Sequence, residues 1–94
     1  MKEKFSVGDV VLSVAGRDRG KAFLVIEVES DYVYLVDGRT RKVFNPKRKK
    51  EKHVKIVSVA GAKELAMKIS IGKPVSNEKV YKAIKSEKEK IQED

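Results

Sequence analysis

Apolar residues follow two different rhythms along this chain. Up to Val59 they come in short, dense runs, and beyond it they recur at intervals of three and four. Val10-Val11-Leu12-Ser13-Val14, preceded by the turn-forming pair Gly8-Asp9, predicts a first strand. Phe23-Leu24-Val25-Ile26-Glu27-Val28 predicts a second, and its unbroken apolar start predicts cover on both faces over part of its length. Ser30-Asp31 marks a turn, and Tyr32-Val33-Tyr34-Leu35-Val36 a third strand. Asp37-Gly38 is a hairpin-turn signal. Arg41–Phe44 then reads as a fourth strand, ended by Asn45-Pro46. The tract Lys47–Lys52 has no apolar residue and reads as an exposed loop. Val54-Lys55-Ile56-Val57 reads as a closing fifth strand.

After Val59, Ala62, Leu65, Ala66 and Ile69 fall at i, i+3, i+4 and i+7, one face of a short helix that Gly72 and Pro74 break. Ser76 reads as the N-cap of a second helix, with Val75 and Val80 placed to staple it. Val80, Ala83 and Ile84 continue its stripe. Glu87 interrupts that stripe before Ile91, which predicts a helix to Ser86 that frays over Glu87–Asp94. The resulting expectation is a mainly β fold. Residues 1–59 form a small five-stranded SH3-like barrel, since a sheet this small must close or cover its edges to avoid pairing with other chains, and residues 60–94 form a short C-terminal helical tail.

Charge narrows the function. The chain has 94 residues, 22 Lys+Arg against 14 Asp+Glu, a net charge of +8, no cysteine and one histidine. The lack of cysteine excludes disulfides, thiolate metal sites and a cysteine nucleophile. No apolar run is long enough to cross a bilayer, and the first residues lack a signal-peptide stretch, so a cytoplasmic protein is expected. The excess charge is concentrated. Between Arg39 and Lys55 nine cations face one anion, Glu51, which equals the net charge of the whole chain. A solvated surface mixes both signs, so this segment reads as phosphate-contacting. A second cluster, Gly16-Arg17-Asp18-Arg19-Gly20-Lys21, reads as a glycine-flanked turn. It lacks the spacing and the Ser or Thr of a nucleotide-binding P-loop.

No catalytic constellation assembles, and no enzyme activity, cofactor or metal is expected. His53 reads as an edge-of-strand residue before it reads as an RNA contact. Asp9, Asp18, Asp31 and Asp37 all fall at predicted turns, where carboxylates bond nearby amides. Tyr32 and Tyr34 share a strand face but have no cation between them in sequence, so they read as core cover rather than a base-stacking platform. Lys79, Lys82, Lys85 and Lys88 recur at helical spacing, but Glu78, Glu87 and Glu89 dilute them, and a DNA-recognition helix is not expected.

Three segments carry a family resemblance. Val7-Gly8-Asp9-Val10-Val11, the turn Ala15–Lys21 and the run Phe23–Val28 resemble a KOW motif. With Leu35-Val36-Asp37-Gly38 and the tract Asn45–Val54, they are similar to the KOW-domain ribosomal proteins of the archaeal and eukaryotic large subunit, the fourteen-type proteins, and to their small bacterial relatives. The opening of the second helix, Lys73–Glu78, resembles the bacterial form. The resemblance implies RNA binding, above all to ribosomal RNA of the large subunit, with ribosomal proteins as neighbours and neither membrane nor small-molecule substrate. It places the contacts on Arg17, Arg19 and Lys21, and on Lys47, Arg48, Lys49, Lys50, Lys52 and His53. Arg39, Arg41 and Lys42 join them as the remaining cations at the start of the basic segment. Replacing Lys47, Arg48 and Lys49 together by Ala is expected to weaken binding strongly and to leave folding intact. The alternative function is a protein–protein adaptor of the transcription or translation machinery. It requires Leu65, Ile69, Val80 and Ile84 to be exposed as a docking face.

Overall fold

The apolar run at residues 23–28 becomes the middle of the sheet because both faces of its first part, Phe23–Ile26, are covered. In the computed structural model, which describes residues 4–91, it lies within β2 (Ala22–Glu29), whose first five residues are all buried. β1 (Val10–Ser13) and β3 (Tyr32–Val36) flank it, both antiparallel. β4 (Lys47–Lys50) pairs with β3, and β5 (Val54–Ser58) pairs with β1, giving the order β4-β3-β2-β1-β5. A 3-10 turn, Glu51–His53, joins β4 to β5. The β2–β3 register shifts between Val25 and Glu27, so Ile26 is an extra residue that bends the strand.

The bend gives the sheet two cores. Phe5, Val11, Phe23, Val25, Val33, Leu35 and Val54 bury one face without any helix, so the sheet curls over its own side chains there. On the other face Val10, Leu24, Ile26 and Val36 pack with Ala66 and Ile69 of α1 (Lys63–Ser70) and Val80 and Ile84 of α2 (Asn77–Ile91).

Several expectations are corrected. The curled sheet is not closed into a barrel, since β4 and β5 remain its edges. The segment Arg41–Phe44 is a turn rather than a strand, and Phe44 is 84% exposed. Asp37 causes this. Its carboxylate accepts the N–H groups of Arg39 and Arg41 at 2.9 and 2.7 Å and the Thr40 hydroxyl at 2.6 Å. Amides committed to a side chain are not offered to a strand ladder. The fourth strand is built instead from the basic tract, in the register Tyr34↔Arg48 and Val33↔Lys49. A short edge strand of lysine and arginine resists further pairing by its charge, so closure is not required to protect it.

The helices are not a tail. They supply half of one core, and α2 is held at both ends. Near its start, Asn77 Oδ1 accepts the Val43 N–H at 2.8 Å, and the Arg39 guanidinium lies 3.6 Å from the Tyr81 ring centroid. Ser76 caps the helix as expected, its hydroxyl accepting the Lys79 N–H at 3.1 Å. Further along, the Glu87 carboxylate accepts the Ser58 hydroxyl at 2.8 Å and Lys90 Nζ at 3.1 Å. These bonds, Ser58 first, hold its carboxyl below the ordinary glutamate range. Glu87 therefore fastens the helix to β5, and helix continues past Ser86 to Ile91. Residues 92–94 of the expected frayed segment lie outside the described residues.

Gly38 tests this seating. It has φ +80°, and a Cβ there would run into the Asn77 carbonyl oxygen and lie 3.0 Å from the Tyr81 nitrogen. Gly20 has φ +91° with open space around it. Gly20→Ala is expected to lose about 1 kcal/mol, the cost of the left-handed conformation alone. Gly38→Ala is expected to lose roughly 2–4 kcal/mol, because the helix start must shift as well. Urea unfolding of the two variants measures the difference, and equal losses would show that α2 does not rest on this loop.

Candidate nucleic-acid interface

The turn between β1 and β2 is a hairpin with a charge buried inside it. Gly20 N–H donates to Ser13 O at 2.8 Å and Lys21 N–H to Asp18 O at 2.9 Å. This geometry turns Arg17 and Arg19 to solvent and Asp18 inward, where it is 7% exposed. Asp18 Oδ1 accepts the Ser13 hydroxyl at 2.7 Å and Lys49 Nζ at 2.9 Å, and Oδ2 accepts Lys47 Nζ at 2.9 Å. Lys49 also donates to the Ala15 carbonyl at 3.0 Å. Burial is the largest influence on Asp18 and favours the neutral acid. The hydrogen bonds from Lys49, Lys47 and Ser13 together outweigh it and hold the carboxyl far below its ordinary value of 3.8.

This clasp sorts the basic tract. Along β4 the side chains alternate, so Lys47 and Lys49 point to the Asp18 side while Arg48 and Lys50 point away. Lys49 is only 9% exposed. Lys47 and Lys49 are thus part of the fold, and the expectation that the tract is a loop whose charges can be removed freely is overturned. Arg39 is also occupied, by the Tyr81 ring and by Glu78 at 4.0 Å. Arg17, Arg19, Lys21, Arg41, Lys42, Arg48, Lys50 and Lys52 have no ion-pair partner among the described residues. His53 ends the 3-10 turn half-buried, its carbonyl accepting the Val14 N–H at 2.9 Å.

The structure brings together residues that are distant in sequence. Arg17, Asp18, Lys21, Thr40, Arg41 and Lys47 surround a pocket of about 250 Å³, with Phe23 at its wall. Lys21 also lines a larger groove of about 450 Å³ beside α2, with Lys85 and Lys88 on its other side. Those two lysines were legible only as a helical repeat diluted by glutamates. Glu87 does not dilute them, because it is turned to Ser58, but Glu89 lines the same groove.

The paired tyrosines have a cation after all. The Arg48 guanidinium lies 4.0 Å from the Tyr32 ring centroid, and Arg48 sits across from Tyr34. The same register, however, places Glu29 opposite Tyr32 and Glu27 opposite Tyr34, and the Tyr34 hydroxyl donates to Glu29 at 2.7 Å. That bond is the main influence raising the Tyr34 pKa. A row of carboxylates beside the rings repels a phosphate backbone, so this face is ill suited to stacking bases.

The clasp makes two measurable claims. Lys49→Ala is expected to lose about 2–4 kcal/mol by leaving Asp18 under-paired, while Arg48→Ala and Lys50→Ala stay within roughly 0.5 kcal/mol of the parent. Asp18 has a depressed folded pKa, so its contribution is fully present above the ordinary value and is lost as pH falls below about 4. Asp18→Asn is therefore expected to be less stable at neutral pH and to show a flatter loss of stability below about pH 4. Chemical denaturation across pH measures both, and an Asp18→Asn profile parallel to the parent would refute the clasp.

Compared with protein-family models and with curated proteins, the chain matches none, so a functional reading rests on its residues and their geometry.

Proposed function

We propose that this is an RNA-binding protein of the KOW type that acts on ribosomal RNA of the large subunit, as a ribosomal or ribosome-associated protein. The observation that carries the reading is the charge left over after internal pairing. Arg17, Arg19 and Lys21 on the hairpin turn, Arg41 and Lys42 on the loop before β4, and Lys52 after it are all unpaired among the described residues, while Arg48 and Lys50, which also lack an ion pair, stand on the face that carries Glu27 and Glu29. The fold spends Asp18, Glu78 and Glu87 on its own lysines, arginine and serine, and leaves the remaining cations to a partner. A polyanion neutralises such a set and releases its counterions. Recognition runs through backbone and shape, since the only paired aromatic face among the described residues carries glutamates.

The adaptor reading loses the surface it required. Ile69, Val80 and Ile84 are buried between helices and sheet, and Leu65 packs against the same core.

Binding to large-subunit ribosomal RNA, followed by fluorescence anisotropy over a salt series, tests the proposal. If about five phosphates are neutralised, log K is expected to fall against log salt with a slope of roughly −3.5 to −4.5. Replacing Arg17, Arg19 and Lys21 by Gln is expected to reduce the magnitude of that slope by about 2. Binding that ignores salt, or that survives this replacement unchanged, would remove the proposal, as would failure of the protein to sediment with the large subunit at moderate salt.

A further inference from the structure

Building on the RNA-binding reading, we propose that the pocket between the hairpin turn, the Asp37-held loop and β4 is a seat for one phosphate group of the RNA. Four cations reach it from three segments: Arg17 and Lys21 from the turn, Arg41 from the loop, Lys47 from the start of β4. Each segment is held independently of any ligand. The turn is closed by its backbone bonds, the loop by the three bonds to Asp37, and β4 by the Asp18 clasp. The cations are therefore gathered before an anion arrives, which spares the ordering cost of collecting them.

The one acid in the lining, Asp18, does not cancel them. Both of its oxygens are engaged, and Lys49 behind the pocket offsets its charge. Lys47 spends one N–H on Asp18 and keeps two. Arg17, Lys21 and Arg41 spend none on an acid among the described residues. The Thr40 hydroxyl is committed to Asp37, so the donors for a ligand are the four cations. The pocket, at about 250 Å³, suits a compact group. It lies below the range of about 300–1,000 Å³ usual for drug-sized ligands. A tetrahedral phosphate has the acceptors to engage several such donors, and two of them are guanidinium groups able to bind it bidentately. Lys21 also reaches the neighbouring groove, but there Lys85 and Lys88 stand beside Asp37 and Glu89, so the pocket rather than the groove is the favourable place for an anion.

Two titrations test this. Inorganic phosphate, added against chloride at constant ionic strength, is followed by amide NMR. Shifts are expected to concentrate at Arg17, Thr40, Arg41 and Lys47 and to vanish in Arg41→Gln, a substitution that breaks no ion pair of the fold. In RNA binding, Arg17→Gln and Arg41→Gln are each expected to cost about tenfold, against about two- to threefold for Arg19→Gln and Lys52→Gln. Two RNAs of one sequence, bearing a 5′-phosphate or a 5′-hydroxyl, separate the sources. Equal affinity assigns the seat to a backbone phosphodiester, and a preference for the 5′-phosphate that disappears in Arg41→Gln assigns it to a chain end. Phosphate shifts spread evenly over all basic residues, or an Arg41→Gln cost no larger than that of Arg19→Gln, would overturn the pocket while RNA binding by the parent stood. Localised phosphate shifts in a protein that binds no RNA would retain the pocket and overturn the RNA reading.

Discussion

The ion pairs of Asp18 with Lys47 and Lys49 join parts of the chain about thirty residues apart, and the layout of the basic surface follows from them. Without a buried anion, β4 would be a row of four cations with no reason to lie against an apolar sheet face. With it, Lys49 is held among hydrophobic neighbours, its ammonium satisfied by Asp18 and the Ala15 carbonyl. The same carboxylate decides the conformation of the hairpin turn. Asp18 must face inward to be met by two ammonium groups, and its neighbours Arg17 and Arg19 are then left outside. One acid thus draws Lys49 into the fold, holds Lys47 at its edge and leaves Arg17 and Arg19 on the surface.

A second constraint concerns α2. A sheet of five short strands has two faces to cover and curls enough to bury only one of them by itself. The other face needs the helices. That explains why an acidic residue is tolerated on the inner side of the helix towards its far end. Glu87 meets the hydroxyl of Ser58 on β5, so the carboxylate acts as a fastening point rather than a break. The loop before β4 completes the arrangement, since Asp37 orders it from one side while Asn77 and Tyr81 receive it from the other.

Much of this was legible along the chain, for reasons that mark where reading stops. The strands at Val10, Phe23, Tyr32 and Val54 and both helix starts show in local apolar rhythm and turn chemistry, because burial on one or two faces leaves a period behind. β4 does not show, because its inward residues are lysines whose partner sits 29 and 31 positions away. Arg41–Phe44 shows a false strand, since the alternation there carries no record that Asp37 has taken the Arg41 amide and Asn77 the Val43 amide. The basic residues of the candidate interface were legible as a set but not as a division. Lys47 and Lys49 cannot be told from Arg48 and Lys50 by composition, and only the pleat separates them. The convergence of Arg17, Arg41 and Lys47 on one pocket likewise comes from how the turn, the Asp37-held loop and β4 are brought together, and is invisible to spacing.

The division also answers how so basic a segment folds at all. Adjacent lysines in a solvated loop repel one another but remain free to spread apart, whereas an ordered strand holds them in place. Alternation sends neighbours to opposite faces, so that like charges are not stacked on one side along the sequence. On the inner side two ammonium groups share the two oxygens of one carboxylate. On the outer side Arg48 spreads its charge over the Tyr32 ring. Order in the strand therefore does not depend on a bound polyanion, and the cations around the pocket are held in place by the fold alone. The acid within a strongly basic surface is then not a concession against anion binding. It holds one side of the pocket, and the free cations around it retain the charge that a phosphate requires.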